Sequence, residues 1–184
     1  MNEIFFYRFR SVLGEIYLGA TKKGLYSLEF ARHKGSIRYR KDMPQAVADV
    51  LSRAARRIQF FLKGRKVDFE DLPIDWFGSR GLERRVLEKL RHICWGRTES
   101  YQGLARRAGR PRAARYVGQV LHRNRLPFII PCHRIVSKNG GIGGFSKGIR
   151  IKGYLLKLES SSVDKNLGSK GVSARRLTGR ARVL

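Results

Sequence analysis

The chain has 184 residues, 42% of them hydrophobic, enough for one medium core or two small ones and too apolar for a disordered chain. Lysine and arginine number 40 against 14 acidic residues, a net charge of +26 with a sequence pI near 11.2. No apolar run approaches the roughly 18 residues of a membrane-spanning helix, so the composition excludes such a helix and favours a polyanionic partner.

Residues 3–30 read as strands. Ile16, Leu18 and Ala20 alternate with Glu15, Tyr17 and Gly19, and Thr21 to Gly24 is a turn into Leu25–Phe30. Residues 32–42 are a basic, polar loop. From Pro44 the period becomes helical, with Val47, Val50, Leu51, Ala54, Ile58, Phe61 and Leu62 recurring at three and four until Gly64 stops the helix. Pro73 and Gly78 mark a connection, and a domain boundary is placed after residue 78. A helix carrying Leu82, Val86, Leu87 and Leu90 follows.

Ser100 then caps a short helix over 101–108, Gly109-Arg110-Pro111 turns the chain, and 112–121 forms a second helix with Ala114, Val117, Val120 and Leu121 inward. Two short helices joined in this way predict a helix-turn-helix. Residues 128–136 are a buried loop or strand, and the glycine pairs at 140–141 and 143–144 a flexible turn. The last helix carries Ile149, Leu155, Leu156 and Leu158. Residues 160–184, rich in Ser, Gly, Lys and Arg, read as a disordered basic tail.

Charge is distributed unevenly. Residues 1–99 hold 21 basic and 12 acidic residues, residues 100–184 hold 19 and 2, and no acid stands between Glu99 and Glu159. Neutralised phosphates release counterions, so nucleic acid is the expected partner rather than a membrane surface, for which no basic amphipathic helix with an aromatic face stands out. Two cysteines and four histidines match no short metal motif, and the N-terminus lacks the pattern of a signal peptide. The expectation is a soluble intracellular protein, cytoplasmic or, in a eukaryote, nuclear, with no metal.

The chemistry centres on Pro131-Cys132-His133-Arg134. A thiolate is a strong nucleophile, and adjacent cations lower the thiol pKa. Residue types alone leave a second reading open, a small buried hydrophobe. Neighbours on an extended strand also face opposite ways, so direct contact between Cys132 and His133 requires a turn or a bridging water.

The longer context resembles the O6-alkylguanine-DNA alkyltransferases, or methylated-DNA–protein-cysteine methyltransferases. The matching pieces are Ser100-Tyr101, Ala113 to Gly118, Asn124 to Pro127, Ile130 to Val136 and Leu155 to Glu159, all in the family's order. Residues 79–159 match well. Residues 1–78 match more loosely, through Gly14 to Thr21 and Gly24-Leu25.

The resemblance implies a ribonuclease-H-like α/β domain (1–78), then a mostly helical, winged-helix-like domain (79–159). It implies a monomer that acts once, on double-stranded DNA containing O6-alkylguanine. Cys132 is the implied alkyl acceptor, His133 takes the thiol proton through a water, and Glu159 orients His133. Tyr101 protonates the departing guanine, and Asn124 and Pro127 brace and shape the active-site loop. Arg115 is the finger that fills the gap left by the flipped base, with Ala113, Ala114 and Gly118 permitting close approach of its helix to the minor groove. Ile135 and Cys132 read the base through their backbone, Ser146 lies near O6, and Phe145 closes over the base. Arg106, Arg107, Arg110, Arg112 and Arg123 are left as phosphate contacts.

Cys94-Trp95-Gly96 departs from the family's Pro-Tyr-Gly. Trp95 is expected to keep the aromatic role and Cys94 to pack as a small hydrophobe. Two other classes compete: a non-enzymatic binder of alkyl lesions, and a helix-turn-helix regulator. The first lacks an acceptor cysteine, which this chain has, and the second needs a dimer interface or sensor domain that is not visible. A thiol protease is a weaker third reading, because no peptide recognition or oxyanion hole is evident.

Overall fold

The computed structural model describes residues 3–30 and 42–167, with side chains as far as Ser161. All but the last residue of the basic stretch expected as a loop, 32–42, lies outside the described residues. Strands β1 (Phe5–Ser11), β2 (Gly14–Thr21) and β3 (Gly24–Phe30) form an antiparallel meander in that order. In β2, Ile16, Leu18 and Ala20 are fully buried, and Leu18 pairs with Tyr7 on one side and Leu28 on the other. Helix α1 (Gln45–Leu62) lays Val47, Leu51, Ala54, Ile58 and Phe61 against this sheet. Burying each large side chain there contributes about 1.5–3 kcal/mol, so the helical period read from the sequence is the register of its packing.

After Leu72 the chain returns to the sheet. Ile74 bridges Leu25 in parallel, Leu25 N–H donates to the Pro73 carbonyl and Asp75 N–H to the Leu25 carbonyl, both at 2.8 Å. Gly24 has φ +136°, and a Cβ there would meet the Pro73 backbone at 2.5 Å; the position requires glycine. The buried Asp75 carboxylate accepts from Thr21 Oγ1 at 2.6 Å and from Phe77 N at 2.9 Å.

The second half comprises α2 (Gly81–Arg91), β4 (Glu99–Ser100), α3 (Tyr101–Arg107), α4 (Ala114–His122), β5 (Ile135–Val136) and α5 (Ile149–Leu167). The helix-turn-helix forms as expected, with Ser100 Oγ accepting from Gly103 N at 2.9 Å to cap α3. On α4, Val117, Val120 and Leu121 are buried while Ala114 is only half-buried. Packing is continuous across residue 78. The Phe61 ring of α1 lies 5.2 Å from Trp95, 5.7 Å from Phe128 and 5.8 Å from the His133 ring, so the N-terminal helix forms part of the wall around the second half's chemistry.

Three expectations need correction. The final helix does not stop at Glu159 but runs to Leu167, because no glycine or proline intervenes; the Ser160 and Ser161 hydroxyls are satisfied within it by the Lys157 carbonyl. The expected disordered tail is therefore helical over 160–167, and 168–184 lie outside the described residues. Ile149 is 57% exposed at the start of this helix rather than part of its apolar face. Cys94 is exposed, not packed: the turn after α2 sends Ile93 and Trp95 inward and the residue between them outward. No helix among the described residues is long and apolar enough to cross a membrane.

Candidate active site

Cys132 opens a single 3-10 turn, Cys132–Arg134, that connects the buried Phe128–Ile130 segment to β5. At three residues per turn, neighbours no longer point to opposite faces, which removes the geometric objection to Cys132 and His133 acting together. The turn is held from behind by Asn124. Its Nδ2 donates to the Ile130 carbonyl at 2.8 Å and to Cys132 Sγ at 3.1 Å, while its Oδ1 accepts from Leu126 N at 3.0 Å. The approach to the turn is conformationally costly. Buried Phe128 has φ +75°, rare for a large side chain, and its ring is clamped between Phe61 and Phe30, which holds the unfavourable backbone in place.

Beside the thiol, buried His133 Nε2 and Glu159 Oε1 are 2.8 Å apart. Glu159 also receives Arg134 Nη2 and Nε at 2.9 and 3.1 Å, and Gly96 N at 3.0 Å. The Arg134 guanidinium reaches further, to the Ile93 carbonyl. Arg134 therefore serves the carboxylate and not the thiol it adjoins in sequence. Burial works against the charge on Glu159, and hydrogen bonds from His133 and Arg134 with the nearby Arg134 charge more than offset it, so its pKa falls below the ordinary value. Burial pushes His133 down, more strongly than Glu159 pulls it up. The resting pair is thus a neutral imidazole donating from Nε2 to a carboxylate. Nδ1 then carries the lone pair, and it is buried with no hydrogen-bond partner.

Burial also raises the Cys132 thiol, against the opposing pull of the Asn124 bond and the charges of Lys152 and Lys147. A protonated thiol beside a neutral imidazole is a matched nucleophile and base. Sequence reading missed Lys152. It is fully buried on α5, and its Nζ donates to the Ile135 carbonyl and, at 3.1 Å, to the Gly144 carbonyl. Burial lowers its pKa to about 8. It ties the glycine-rich segment to the strand after Cys132 and carries a positive charge near the thiol at neutral pH. A fully buried lysine is rare unless it is paired, but its neighbours Ile151 and Gly153 gave no indication that position 152 faces inward.

The thiol opens onto a pocket of about 150 Å³ lined by Cys132, Tyr101, Gly118, Leu121, His122, Gly144, Phe145 and Ser146. Larger pockets, of about 310, 380 and 460 Å³, lie away from the thiol. Tyr101 reaches the site because β4 pairs in parallel with β5, Ser100 opposite Val136. Burial raises its pKa, with the neighbouring Cys132 adding to the effect, so it stays a phenol with a proton to give. A Cβ on Gly143 would approach the Tyr101 hydroxyl at 3.2 Å, and that residue has φ +68°; glycine there lets the segment pass over the tyrosine. Of the other expected residues, Ile135 is buried and does not line the pocket, Ala113 and Ala114 lie at the start of α4, and Arg115 projects from it into solvent. Arg123, expected to contact phosphate, lies 3.8 Å from Glu83. His122, at the pocket's edge, was not foreseen.

Residues 81–161 match the 6-O-methylguanine DNA methyltransferase DNA-binding domain. The chain is 34% identical to the methylated-DNA–protein-cysteine methyltransferase of Methanosarcina barkeri over 83% of its own length and 95% of the relative's. It belongs to that family. Two further similarities extend the picture. The DNA base-flipping protein of Thermus thermophilus is 31% identical over 81% of this chain and 95% of its own. The crystal structure of Mycobacterium tuberculosis OGT in complex with DNA superposes with a TM-score of 0.74 at 28% identity, covering 86% of this chain and 94% of that one. The family's α/β and helical parts are thereby the architecture of this protein.

Proposed function

We propose that the protein repairs DNA by moving a methyl or other alkyl group from O6 of guanine onto Cys132, once per molecule. The observation that carries this reading is the thiol at the wall of a pocket, with a neutral imidazole and an ionised carboxylate lined up behind it. His133 accepts the thiol proton at Nδ1 through a water, and Glu159 stabilises the imidazolium that results. Sγ attacks the alkyl carbon, the S–C bond forms as the C–O6 bond breaks, and the electron pair stays with the guanine. Tyr101 supplies a proton to N3 of that leaving base. The proton that the thiol gave to His133 then restores Tyr101, so the base gains one proton, the exchange is neutral overall and no cofactor is needed. The thioether has no route back to a thiol.

On this reading α4 enters the minor groove, Ala113, Ala114 and Gly118 allow close approach, and Arg115 occupies the gap left by the extruded base. Phe145 and Ser146 close over the base and contact its O6 edge, while the Ile135 and Cys132 backbone reads the other edge. The finer architecture is read as a ribonuclease-H-like domain over 1–78 and a winged-helix-like domain over 79–159. A lesion binder that leaves the alkyl group in place is the second reading, and the presence of the acceptor thiol argues against it.

The test is the intact mass after incubation with one equivalent of duplex carrying a single O6-methylguanine. One methyl on the Cys132 peptide, without turnover, is expected. Cys132→Ala should bind the duplex and gain no methyl. Repeated turnover, or a label on Cys94, would overturn the assignment.

A further inference from the structure

The pocket of about 380 Å³ lies at the junction of the 66–70 loop with the turn after α2, and its lining includes the exposed thiol of Cys94. Trp95 in the same lining is nine-tenths buried, and its indole Nε1 has no hydrogen-bond partner. Arg91 also lines it; its Nη2 donates to the carbonyls of Phe69, Glu70 and Leu72, but its buried Nε is unpartnered. Both orphans are donors, so they call for an acceptor-bearing ligand. Lys66 adds a cation with no carboxylate partner among the described residues. The two acids of the lining are already engaged: Glu70 lies 2.9 Å from His92 Nδ1, and Asp68 accepts Glu70 N–H at 2.7 Å.

Cys94 also sits at a mechanically connected place. The residue before it, Ile93, accepts a hydrogen bond from Arg134 through its carbonyl, and Gly96 donates to Glu159. Arg134 itself forms part of the pocket wall. The segment that carries the exposed thiol is thus one of the supports of the carboxylate that orients His133.

We propose that Cys94 is a modification site, forming a mixed disulfide with a small acidic thiol that docks in this pocket, and that the adduct slackens the support of Glu159. The Cys94 thiolate attacks one sulfur of a low-molecular-weight disulfide carrying carboxylates. A new S–S bond forms as the old one breaks, and the other half leaves as a thiolate that takes up the proton Cys94 released. Cys94 is oxidised, one half of the disulfide is reduced, and a thiol reductant reverses the step. The ligand's carboxylates face Lys66 and the Arg91 guanidinium.

The effect on alkyl transfer rests on the proposed function; adduct formation does not. Full-length Cys132→Ala treated with oxidised glutathione should gain one adduct, on the Cys94 peptide. It should form several times faster than with cystamine, a cationic disulfide, and Lys66→Ala should narrow that gap. The His133 ring signals in the NMR spectrum should move when the adduct forms. With Cys132 intact, oxidised glutathione should slow methyl transfer by about tenfold or more, the order expected from small displacements of catalytic groups, and reductant should restore it. Cys94→Ser should transfer at the untreated rate with or without the disulfide. No adduct at Cys94, equal rates with cystamine, unmoved His133 signals, or equal slowing in Cys94→Ser would each overturn the proposal. Failure of untreated protein to transfer methyl would instead count against the proposed function, leaving the mass and NMR results to decide this one.

Discussion

Arg134 is buried, with its guanidinium committed to Glu159 and the Ile93 carbonyl, whereas Arg115 on α4 stands in solvent with no carboxylate partner among the described residues. The two side chains are chemically identical, and environment separates their roles. A buried charge must be paired at close range or it destabilises the fold, so Arg134, Glu159 and His133 form a rigid set. An exposed charge costs little to leave unpaired and is screened until a polyanion arrives, so the arginines of α3 and α4 remain available for phosphate or for a gap in a base stack. One region stores geometry and the other stores charge.

The sharpest way to break this comparison is to remove the shared carboxylate. Glu159→Ala leaves Arg134 buried without its partner and should cost about 3–5 kcal/mol of stability, read from denaturant unfolding. Glu159 ionises at a lower pH in the folded chain than in the unfolded one. The stability it adds is therefore complete above its ordinary value of 4.5 and is lost as pH falls through the lower folded value. A variant with the same acid-side slope as the parent would show that Glu159 is not the group responsible.

Lys152 sharpens the comparison from the cationic side. Its folded pKa of about 8 lies below its ordinary value of 10.5, so between those values the unfolded chain binds more protons. Stability attributable to Lys152 should rise with pH across that window and be fully present only above 10.5. Lys152→Met should lack the rise, in unfolding curves recorded across the window from about 8 to 10.5. Its transfer rate should also fall, because the tie between the Ile135 and Gly144 carbonyls is gone.

Arg115→Ala should do the opposite of Glu159→Ala. Its effect on stability should stay within about 0.5 kcal/mol, while repair of duplex DNA falls much more than reaction with free alkylguanine base, because extruding a base costs a few kcal/mol. An equal fall on both substrates would move Arg115 from the surface region into the chemistry.

The smallest effect is expected from truncation after Leu167, which removes Lys170, Arg175, Arg176, Arg180 and Arg182 and no acid. Every phosphate that these side chains neutralise steepens the fall of log affinity with log salt by about 0.9. The truncated protein should therefore show a flatter salt dependence, with transfer to Cys132 from free base unchanged. Equal salt slopes would mean that these residues touch no phosphate.

Local pattern by itself determined much of the molecule. The alternation in β2, the three-and-four spacing of α1, the Ser100 cap and the turn at Gly109 are each written within one short window and depend on one nearby surface. The ordered motifs also singled out Cys132, His133, Glu159, Tyr101 and Asn124, since the chain's long acid-free run ends at Glu159. What only the tertiary structure decided was which side chains share a charge and which face outward. Arg134 looked like a neighbour of the thiol and became the partner of Glu159. Cys94 looked like core and faces solvent, while Lys152, which no local pattern marked, lies at the centre. None of these has a local signal, because each depends on residues brought from distant parts of the chain. Ile93 and Gly96 support the carboxylate, the Ile135 and Gly144 carbonyls hold the lysine, and Phe61 of α1 packs against His133. Burial and pairing are properties of the folded neighbourhood, and the physical chemistry of this site resides there.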